Sequence, residues 1–195
     1  MTRILILGAN GQLARNTTRV LLEQTDCELT LYLRQAKRLK NPDPKRAMII
    51  EGDVLDAKGL QEAMQGQDAV YANVSGDMVR QARTIVAAMK SSGLHRLIFI
   101  SSMGIYSEVP GEKYRSVLDP YRDSAALIEQ SDLDYTILRP GWFTRAAAGP
   151  VQITQKNEPF IGHDISLDGL SGMIAKIATT PGLYSQCSLG VSDDN

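Results

Sequence analysis

The sequence predicts a three-layer α/β fold, in which helices cover both faces of a doubly wound, mostly parallel sheet of six to seven strands. Three observations lead to this prediction. Short apolar runs recur along the chain, helical patterns separate them, and glycines follow the first run. Strands that alternate with helices in this way are typical of parallel sheets. Because the chain has 195 residues, we expect a single domain over residues 1–195.

The first predicted strand leads into a turn suited to binding a phosphate. Ile4 to Leu7 are all apolar, as in a strand that is buried on both faces. The motif Gly8-x-x-Gly11-x-x-Ala14 then places small residues where a tight turn, a close ligand and a close helix exclude side chains. The helix predicted from Gln12 to Gln24 would direct its free N–H groups at that ligand.

A second predicted strand, from Glu28 to Leu33, supplies the context that a glycine motif needs. Alone, such a motif is a weak signal. Strand, glycine turn, helix and strand within about thirty residues form one βαβ unit. This unit predicts a Rossmann fold that binds the pyrophosphate of a dinucleotide.

The rest of the chain continues the alternation of strands and helices. Further strands are predicted at residues 47–51, 68–73, 96–101, 135–139 and 187–191, and further helices at 56–64, at 77–91, from 119 onward and at 167–179. Asp56 and Asp119 are predicted N-caps, with Pro120 at a first helical position. Gly93 is predicted to end a helix in a left-handed cap.

Two segments interrupt the alternation, Met103 to Leu118 and Gly141 to Asp164. Each follows the carboxyl end of a predicted strand, where open α/β sheets bind their ligands. Loops of this length inside a domain are commonly functional. We therefore interpret both segments as walls of a substrate pocket.

Composition argues against several classes of function. The formal net charge of −1 disfavours nucleic acid or a membrane as a partner, since both attract a basic excess. No apolar run approaches the roughly eighteen residues of a membrane span, and no His, Cys and carboxylate set has metal-ligand spacing. Cys27 and Cys187 are expected to be buried or free thiols of a reducing compartment. A core strand at the N-terminus leaves no room for a signal peptide, so we expect a cytoplasmic protein.

Six short motifs, in their order and spacing, carry a resemblance to a known superfamily. They are Gly8-Ala-Asn-Gly11-x-x-Ala14, Arg34-x-x-x-Arg38, Gly52-Asp53-Val54, Asn73-Val-Ser-Gly76, Ser101-Ser102 and Arg139-Pro140-Gly141. Over residues 3–191 the chain resembles the atypical short-chain dehydrogenase/reductase superfamily, in particular its NmrA-like and flavin- or biliverdin-reductase-like members. The resemblance implies an NAD(P)-binding Rossmann domain.

The resemblance also implies which residues bind the cofactor. They are Gly8, Asn10, Gly11, Gln12, Leu13, Arg34, Arg38, Asp53, Val54, Asn73, Val74, Ser75, Gly76, Ser101, Ser102, Pro140, Gly141 and Trp142. Within this set, Asp53 would meet the adenine amino group, and Ser101 or Ser102 would lie near the nicotinamide. Trp142 would face the substrate side. The residue types alone also allow other interpretations. Asp53 could be a turn former, the serines could be ordinary strand ends, and Trp142 could belong to the core.

Arg34 closes the second predicted strand, where a Rossmann fold contacts the adenosine ribose. An acidic residue there is typical of NAD sites, whereas an arginine can bind a 2′-phosphate through two N–H groups. Lys37 and Arg38 follow closely and could share that phosphate. The alternative is a solvated basic helix start. We expect NADP(H) in preference to NAD(H).

The chain departs from the superfamily in its candidate proton donor. The usual acid is a tyrosine whose pKa is lowered by a lysine four residues later. None of the seven tyrosines is followed by a lysine at this spacing. Tyr121 matches the position of the acid, but residue 125 is alanine. Ser101 and Tyr121 are the candidate catalytic residues, and alcohol oxidation by a Tyr-Lys pair is not expected.

Three functions are compatible with this pattern. The first is hydride transfer from NAD(P)H to a small conjugated acceptor, such as a flavin, a quinone or a tetrapyrrole, which can take its proton from water. The second is a non-catalytic NAD(P)-binding redox sensor of the NmrA type with a protein partner. A nucleotide-sugar epimerase or dehydratase ranks last, since a short segment follows Pro140. The sequence is also compatible with a homodimer.

Overall fold

An eight-stranded sheet runs through the centre of the molecule in the computed structural model, which describes residues 1–194. The strands are β1 (Arg3–Leu7), β2 (Glu28–Leu33), β3 (Ala47–Glu51), β4 (Ala69–Ala72), β5 (Arg96–Ile100), β6 (Asp134–Pro140), β7 (Trp142–Thr144), β8 (Val151–Thr154), β9 (Asp164–Ser166) and β10 (Cys187–Asp193). The helices are α1 (Gln12–Gln24), α2 (Ala57–Ala63), α3 (Met78–Ser92), α4 (Asp119–Glu129) and α5 (Leu167–Thr179). Strands β7 and β9 pair separately, in a small second sheet.

The strand order confirms the predicted fold. Across the large sheet it is β3-β2-β1-β4-β5-β6-β10-β8, with β8 antiparallel to β10 and the other neighbours parallel. The direction of winding reverses between β1 and β4. At such a switch point the loops after the two strands diverge and open a crevice at the carboxyl edge of the sheet. The chain therefore adopts a doubly wound Rossmann fold with its crevice at β1 and β4.

Strand β1 divides the core between the two faces of the sheet. Ile4 and Ile6 pack in one cluster with residues of α1 and α5, whereas Leu5 and Leu7 pack in another with residues of α2, α3 and α4. All four side chains are fully buried. Successive side chains of a strand point to opposite faces, so an all-apolar strand requires helices on both.

Two predicted helix starts differ in detail from the structure. Leu118, at the end of a short 3-10 turn, occupies the N-cap of α4, and Asp119 is already helical. The turn sets helical backbone angles before Asp119 is reached, which moves the boundary. Asp56 is at the N-cap of α2 as predicted, but its side chain makes no capping hydrogen bond. Gly93 ends α3 in the left-handed conformation, as predicted.

The segment from Gly141 to Asp164 is more regular than the predicted loop. It contains β7 and β8 and reaches the start of β9. Pairing of β8 with β10 raises the number of strands to eight, so the predicted six to seven was too low. Such short strands have little pattern of their own, and they form because neighbouring strands complete their hydrogen bonds.

Three further features of residues 1–194 concern membrane spans, metal sites and thiols. No helix in this range has both the length and the apolarity needed to cross a membrane. The same range contains no group of three His, Cys, Asp or Glu residues able to hold a metal ion. Cys27 is buried, Cys187 is partly buried, and both are free thiols.

The start of α5 is fixed by two buried polar side chains. Ser166 Oγ accepts the N–H of Gly169 at 3.2 Å. Asp193, at the end of β10, accepts the N–H of Ser166 at 2.8 Å and its hydroxyl at 3.2 Å. The helix that covers one face of the sheet is thereby tied to strand β10.

We expect Ser166→Ala to lower the free energy of unfolding by about 1–2 kcal/mol, because it removes the helix cap and one partner of a buried carboxylate. Urea denaturation measures this change. Ser185→Ala, which removes an exposed hydroxyl, is the control and should leave the midpoint unchanged. Equal midpoints for both variants would contradict the expectation.

Candidate active site

A cleft of about 520 Å³ opens where β1 to β4 end, and we call it the glycine-turn cleft. The predicted cofactor residues that line it are Gly8, Asn10, Gly11, Arg34, Arg38, Asp53, Val54, Asn73, Val74 and Ser75. The structure thus brings together residues that follow four different strands. The cleft lies at the switch point of the sheet, where Rossmann folds bind dinucleotides.

The glycine turn leaves no room for side chains at two positions. Gly8 has a φ of +74°, and a Cβ there would lie 2.1 Å from the carbonyl oxygen of Asn73. A Cβ on Gly11 would lie 2.6 Å from Nδ2 of Asn73. Gly11 is also the N-cap of α1 and provides no side-chain cap. The first N–H groups of α1 therefore remain available to an anion in the cleft.

Two amide oxygens in this cleft are buried without a hydrogen-bond partner among residues 1–194, Oδ1 of Asn10 and Oε1 of Gln81. The amide nitrogen of Gln81 donates to the carbonyl oxygen of Ser75 at 3.0 Å. Buried acceptors of this kind require a donor. The hydroxyl and amino groups of a dinucleotide are suitable donors, so the cleft fits that class of cofactor. Gln81, on the first turns of α3, was not predicted from the sequence.

Asp53 is held in its own turn at the end of β3. Its Oδ1 accepts the N–H of Leu55 at 2.9 Å, and its carbonyl oxygen accepts the hydroxyl of Tyr32 at 3.1 Å. A Cβ on Gly52 would lie 2.2 Å from that hydroxyl. Burial, with the charges of Asp56 and Asp53, raises the pKa of Tyr32, so its phenol remains a donor. Asp53 is thus a turn former that also lines the cleft, and its contact with adenine stays a prediction.

Arg34 is exposed at the cleft, at the end of β2. Among the contacts of residues 1–194 its guanidinium has no ion-pair partner. Arg38 donates to the side-chain oxygen of Gln35 at 3.3 Å, and Glu51 accepts the N–H of Ala36 at 2.7 Å. The short turn that carries Arg38 is therefore anchored to β3, while the charge of Arg34 stays available for a ligand.

A second cleft, of about 290 Å³, opens where β5 and β6 end, and we call it the β5–β6 pocket. One wall comes from residues between Ser102 and Leu118, and the other is formed by Pro140, Gly141 and Trp142. Strands β4 and β5 are neighbours, so the pocket lies beside the glycine-turn cleft on the same edge of the sheet. Trp142, the single tryptophan, is 55% exposed rather than part of the core.

Tyr121 lines the β5–β6 pocket from the first turn of α4. Ala125, one turn later, is fully buried, so the position of the usual lysine holds a methyl group. Ser101 is also buried, and its hydroxyl lies 3.5 Å from the carbonyl oxygen of Tyr121. Ser102, rather than Ser101, lines the pocket. A catalytic role for Ser101 or Tyr121 remains a prediction.

A second tyrosine of this pocket, Tyr114, is tied to charged neighbours. Its hydroxyl donates to Asp119 at 2.7 Å and accepts from Arg122 at 3.0 Å. Burial and the hydrogen bond to Asp119 outweigh the opposing effect of Arg122 and raise the pKa of Tyr114. Tyr114 therefore keeps its phenolic proton more firmly than a free tyrosine does.

Several predicted residues lie outside the lining of the glycine-turn cleft. Leu13 is buried in the core, Gln12 is exposed at the start of α1, and Gly76 has open space around its α-carbon. The first two contribute backbone N–H groups near the cleft rather than side chains.

A buried ion pair beside the pocket, Glu108 with Arg139, was not predicted from the sequence. Their side chains are 4% and 0% exposed. Arg139 lies on β6, between buried neighbours, and an arginine in such a strand requires a carboxylate partner. That signal was present in the sequence. The identity of the partner depends on the path of the segment after β5, which the sequence does not reveal.

A family of known proteins matches most of the chain. The family described as NAD(P)H-binding matches residues 8–181, a range that includes the glycine turn and strands β2 to β6. The chain belongs to this family. The chain also shares its fold with solved structures of a Rossmann-fold NAD(P)-binding family protein and of a short-chain dehydrogenase/reductase, in agreement with the resemblance seen in the sequence.

Three known proteins are similar to this chain over most of its length. A Rossmann-fold NAD(P)-binding family protein from Shigella flexneri is 40% identical with a TM-score of 0.87, over 100% of this chain and 95% of that one. A short-chain dehydrogenase/reductase from Veillonella parvula, in complex with NADP, is 27% identical with a TM-score of 0.88, over the same shares of 100% and 95%. Quinone oxidoreductase 2 of Escherichia coli is 22% identical over 168 residues, which are 82% of this chain and 55% of that protein. This chain therefore spans about half of that curated relative.

The contact between Gly11 and Asn73 can be tested by a double-mutant cycle. We expect Gly11→Ala to cost about 1–3 kcal/mol of unfolding free energy, because the new methyl group overlaps the Asn73 amide. In an Asn73→Ala background the same change should cost less, which urea denaturation measures as a coupling energy. Gly172→Ala is the control, since its Cβ meets no atom within 4 Å. Additive effects of the two substitutions would refute the contact.

Proposed function

We propose that this chain is an NADP(H)-dependent reductase of a small conjugated acceptor such as a flavin or a quinone. One observation carries the proposal. A pocket with partly apolar walls lies directly beside the glycine-turn cleft, and its tyrosine at the family's acid position has an alanine one turn later. Such a pocket can receive an acceptor that needs little help from a protein acid.

The glycine-turn cleft would hold the dinucleotide. The open start of α1 binds its pyrophosphate, and Arg34 binds its 2′-phosphate. The side-chain oxygens of Asn10 and Gln81 accept hydrogen bonds from its hydroxyl or amino groups. Bound NADPH supplies a hydride, and the reduced acceptor gains one proton. The family membership supports an NAD(P) cofactor, and the Veillonella parvula relative in complex with NADP supports the phosphorylated form.

The β5–β6 pocket would position the acceptor. Met103, Leu118 and Trp142 provide apolar surfaces on which a planar ring can stack. Holding the two reactants in line is the main contribution expected of the protein, since correct placement alone supplies a large part of a rate enhancement. Similarity to a quinone oxidoreductase supports an acceptor of this class.

Tyr121 would act mainly by orienting the acceptor, with Ser101 supporting its backbone. Ala125, one helical turn later, provides no ammonium group that could stabilise a phenolate. Quinones and flavins form stabilised anions on reduction, and water can protonate these anions after the hydride has moved. Proton transfer from the protein is then dispensable.

We expect Arg34→Ala to weaken binding of NADPH by about tenfold or more while binding of NADH stays unchanged, because a charge-assisted bond to the 2′-phosphate is lost. Fluorescence titration of both reduced cofactors measures the ratio. Arg83→Ala removes an exposed arginine outside both clefts and serves as the control. Tighter binding of NADH than NADPH by the wild type would reject the preference for NADP.

Replacing Tyr121 with phenylalanine separates orientation from acid catalysis. We expect kcat with FMN or 2-methyl-1,4-naphthoquinone to fall by less than about tenfold, whereas loss of a general acid costs about 10²–10⁴-fold. Stopped-flow measurement of NADPH oxidation gives the rates. Tyr135→Phe, at the opposite end of β6, is the matched control. A larger loss in the Tyr121 variant would assign it the proton transfer.

The proposal as a whole is tested by NADPH oxidation with FMN, riboflavin, biliverdin and simple quinones. Turnover with one of these acceptors at a rate above that of free solution supports a reductase. Absence of turnover with all of them, together with different affinities for NADPH and NADP⁺, would favour a redox sensor instead.

A further inference from the structure

We propose that Glu108 and Arg139 are positioning residues that fix the two walls of the β5–β6 pocket relative to each other. The inference rests on the proposed function, which makes this pocket the acceptor site. Arg139 directly precedes Pro140 and Gly141, which form one wall. Glu108 belongs to the segment that forms the other wall, and neither of the pair lines the pocket itself. The ion pair therefore connects the two walls, although neither of its side chains faces the pocket.

The carboxylate of Glu108 organises the segment that follows β5. Its Oε1 accepts the N–H of Gly104 at 3.0 Å, and its Oε2 accepts the N–H of Tyr106 at 2.9 Å. Arg139 donates Nη1 to the same Oε1. Three donors thus converge on two oxygens. A glutamine could not replace this arrangement, because its NH₂ group would face a donor.

Arg139 is anchored on its other side to the backbone. Its Nη2 donates to the carbonyl oxygens of Gln155, at 3.1 Å, and Ser188, at 3.3 Å. The guanidinium carbon lies 5.0 Å from the centre of the Tyr106 ring. The planar fork of arginine makes these contacts together with the bond to Glu108, which a lysine could not do. The segment after β5 is thereby attached to β6 and β10 through one side chain.

The fixed segment includes a residue in an unfavourable conformation. Ser107 has a φ of 59° and lines the pocket. A left-handed backbone at serine persists when the surrounding contacts hold it in place. Glu108 is the next residue, and its side chain and its carbonyl oxygen are both engaged, the latter by the N–H of Phe160 at 2.8 Å. Loss of the carboxylate would release Ser107 and change the shape of this wall.

The pair acts on one of the two clefts. Glu108, Arg139 and the groups that they bind are absent from the lining of the glycine-turn cleft. A change in the pair should therefore alter binding of the acceptor and leave binding of the dinucleotide as it was. General destabilisation of the fold would affect both ligands alike.

Kinetics of Glu108→Gln, with FMN and 2-methyl-1,4-naphthoquinone as probes, test this selectivity. We expect KM for the acceptor to rise by about tenfold or more, with kcat within about threefold of the wild type. The Kd of NADPH should stay within about twofold. Glu108→Asp, which keeps the charge, should restore part of the affinity. An equal loss for acceptor and NADPH would overturn the inference.

Limited trypsin digestion tests the same pair without any turnover. The segment contains exposed cleavage sites after Lys113 and Arg115. We expect cleavage there to be about fivefold faster or more in Glu108→Gln, because proteolysis follows local opening. Asp193→Asn alters a buried carboxylate that touches neither cleft, and it should lower the denaturation midpoint without accelerating this cleavage.

The two measurements keep the pair's role separate from the proposed function. If the wild type reduces neither probe, the proposed function fails, and the digestion still decides whether the pair orders the segment. Unchanged cleavage in a folded Glu108→Gln variant overturns the inference. If that variant does not fold, Glu108→Asp and Arg139→Lys replace it in both experiments, with intermediate effects expected.

Discussion

The close contact between the turn after β1 and the end of β4 is the constraint on which the rest of the structure depends. The Asn73 carbonyl occupies the space that a side chain on Gly8 would need. This approach is possible because both strands are parallel neighbours at the point where the sheet reverses its winding. It leaves the start of α1 uncovered, and it sets the glycine-turn cleft next to the strands that carry the second pocket. Two clefts side by side are a consequence of this one contact.

The same edge of the sheet uses arginine in two opposite ways. Arg34 is exposed and unengaged by the residues 1–194 around it, so its charge is available to a ligand at low desolvation cost. Arg139 is fully buried and gives its hydrogen bonds to Glu108 and to the backbone. Removing a partner from a buried pair is far more costly than removing an exposed charge. Burial, rather than residue type, thus separates the arginine whose charge is available from the arginine whose charge is already paired.

The elements that the sequence predicts correctly are those in which the local residue pattern and the fold agree. The all-apolar β1 and the glycines after it predicted the strand, the turn and α1 because each has one physical explanation. The predicted cofactor residues that line the glycine-turn cleft followed from the family resemblance, and they meet because parallel strands end at one edge of the sheet. Strands β7 and β8 were not predictable, since they form through partners distant in the chain. Glu108 and Gln81 were missed for the same reason, because their roles depend on the path of a loop and the rotation of a helix.

The position of β10 has a consequence for how the sheet forms. This strand lies between β6 and β8, although it comes last among the strands of residues 1–194. Pairing it with β6 closes a long loop, and such non-local steps are slow in folding. Before β10 arrives, β6 and β8 present unpaired edges that can join strands of other chains. Assembly of this half of the sheet is therefore the stage most exposed to aggregation.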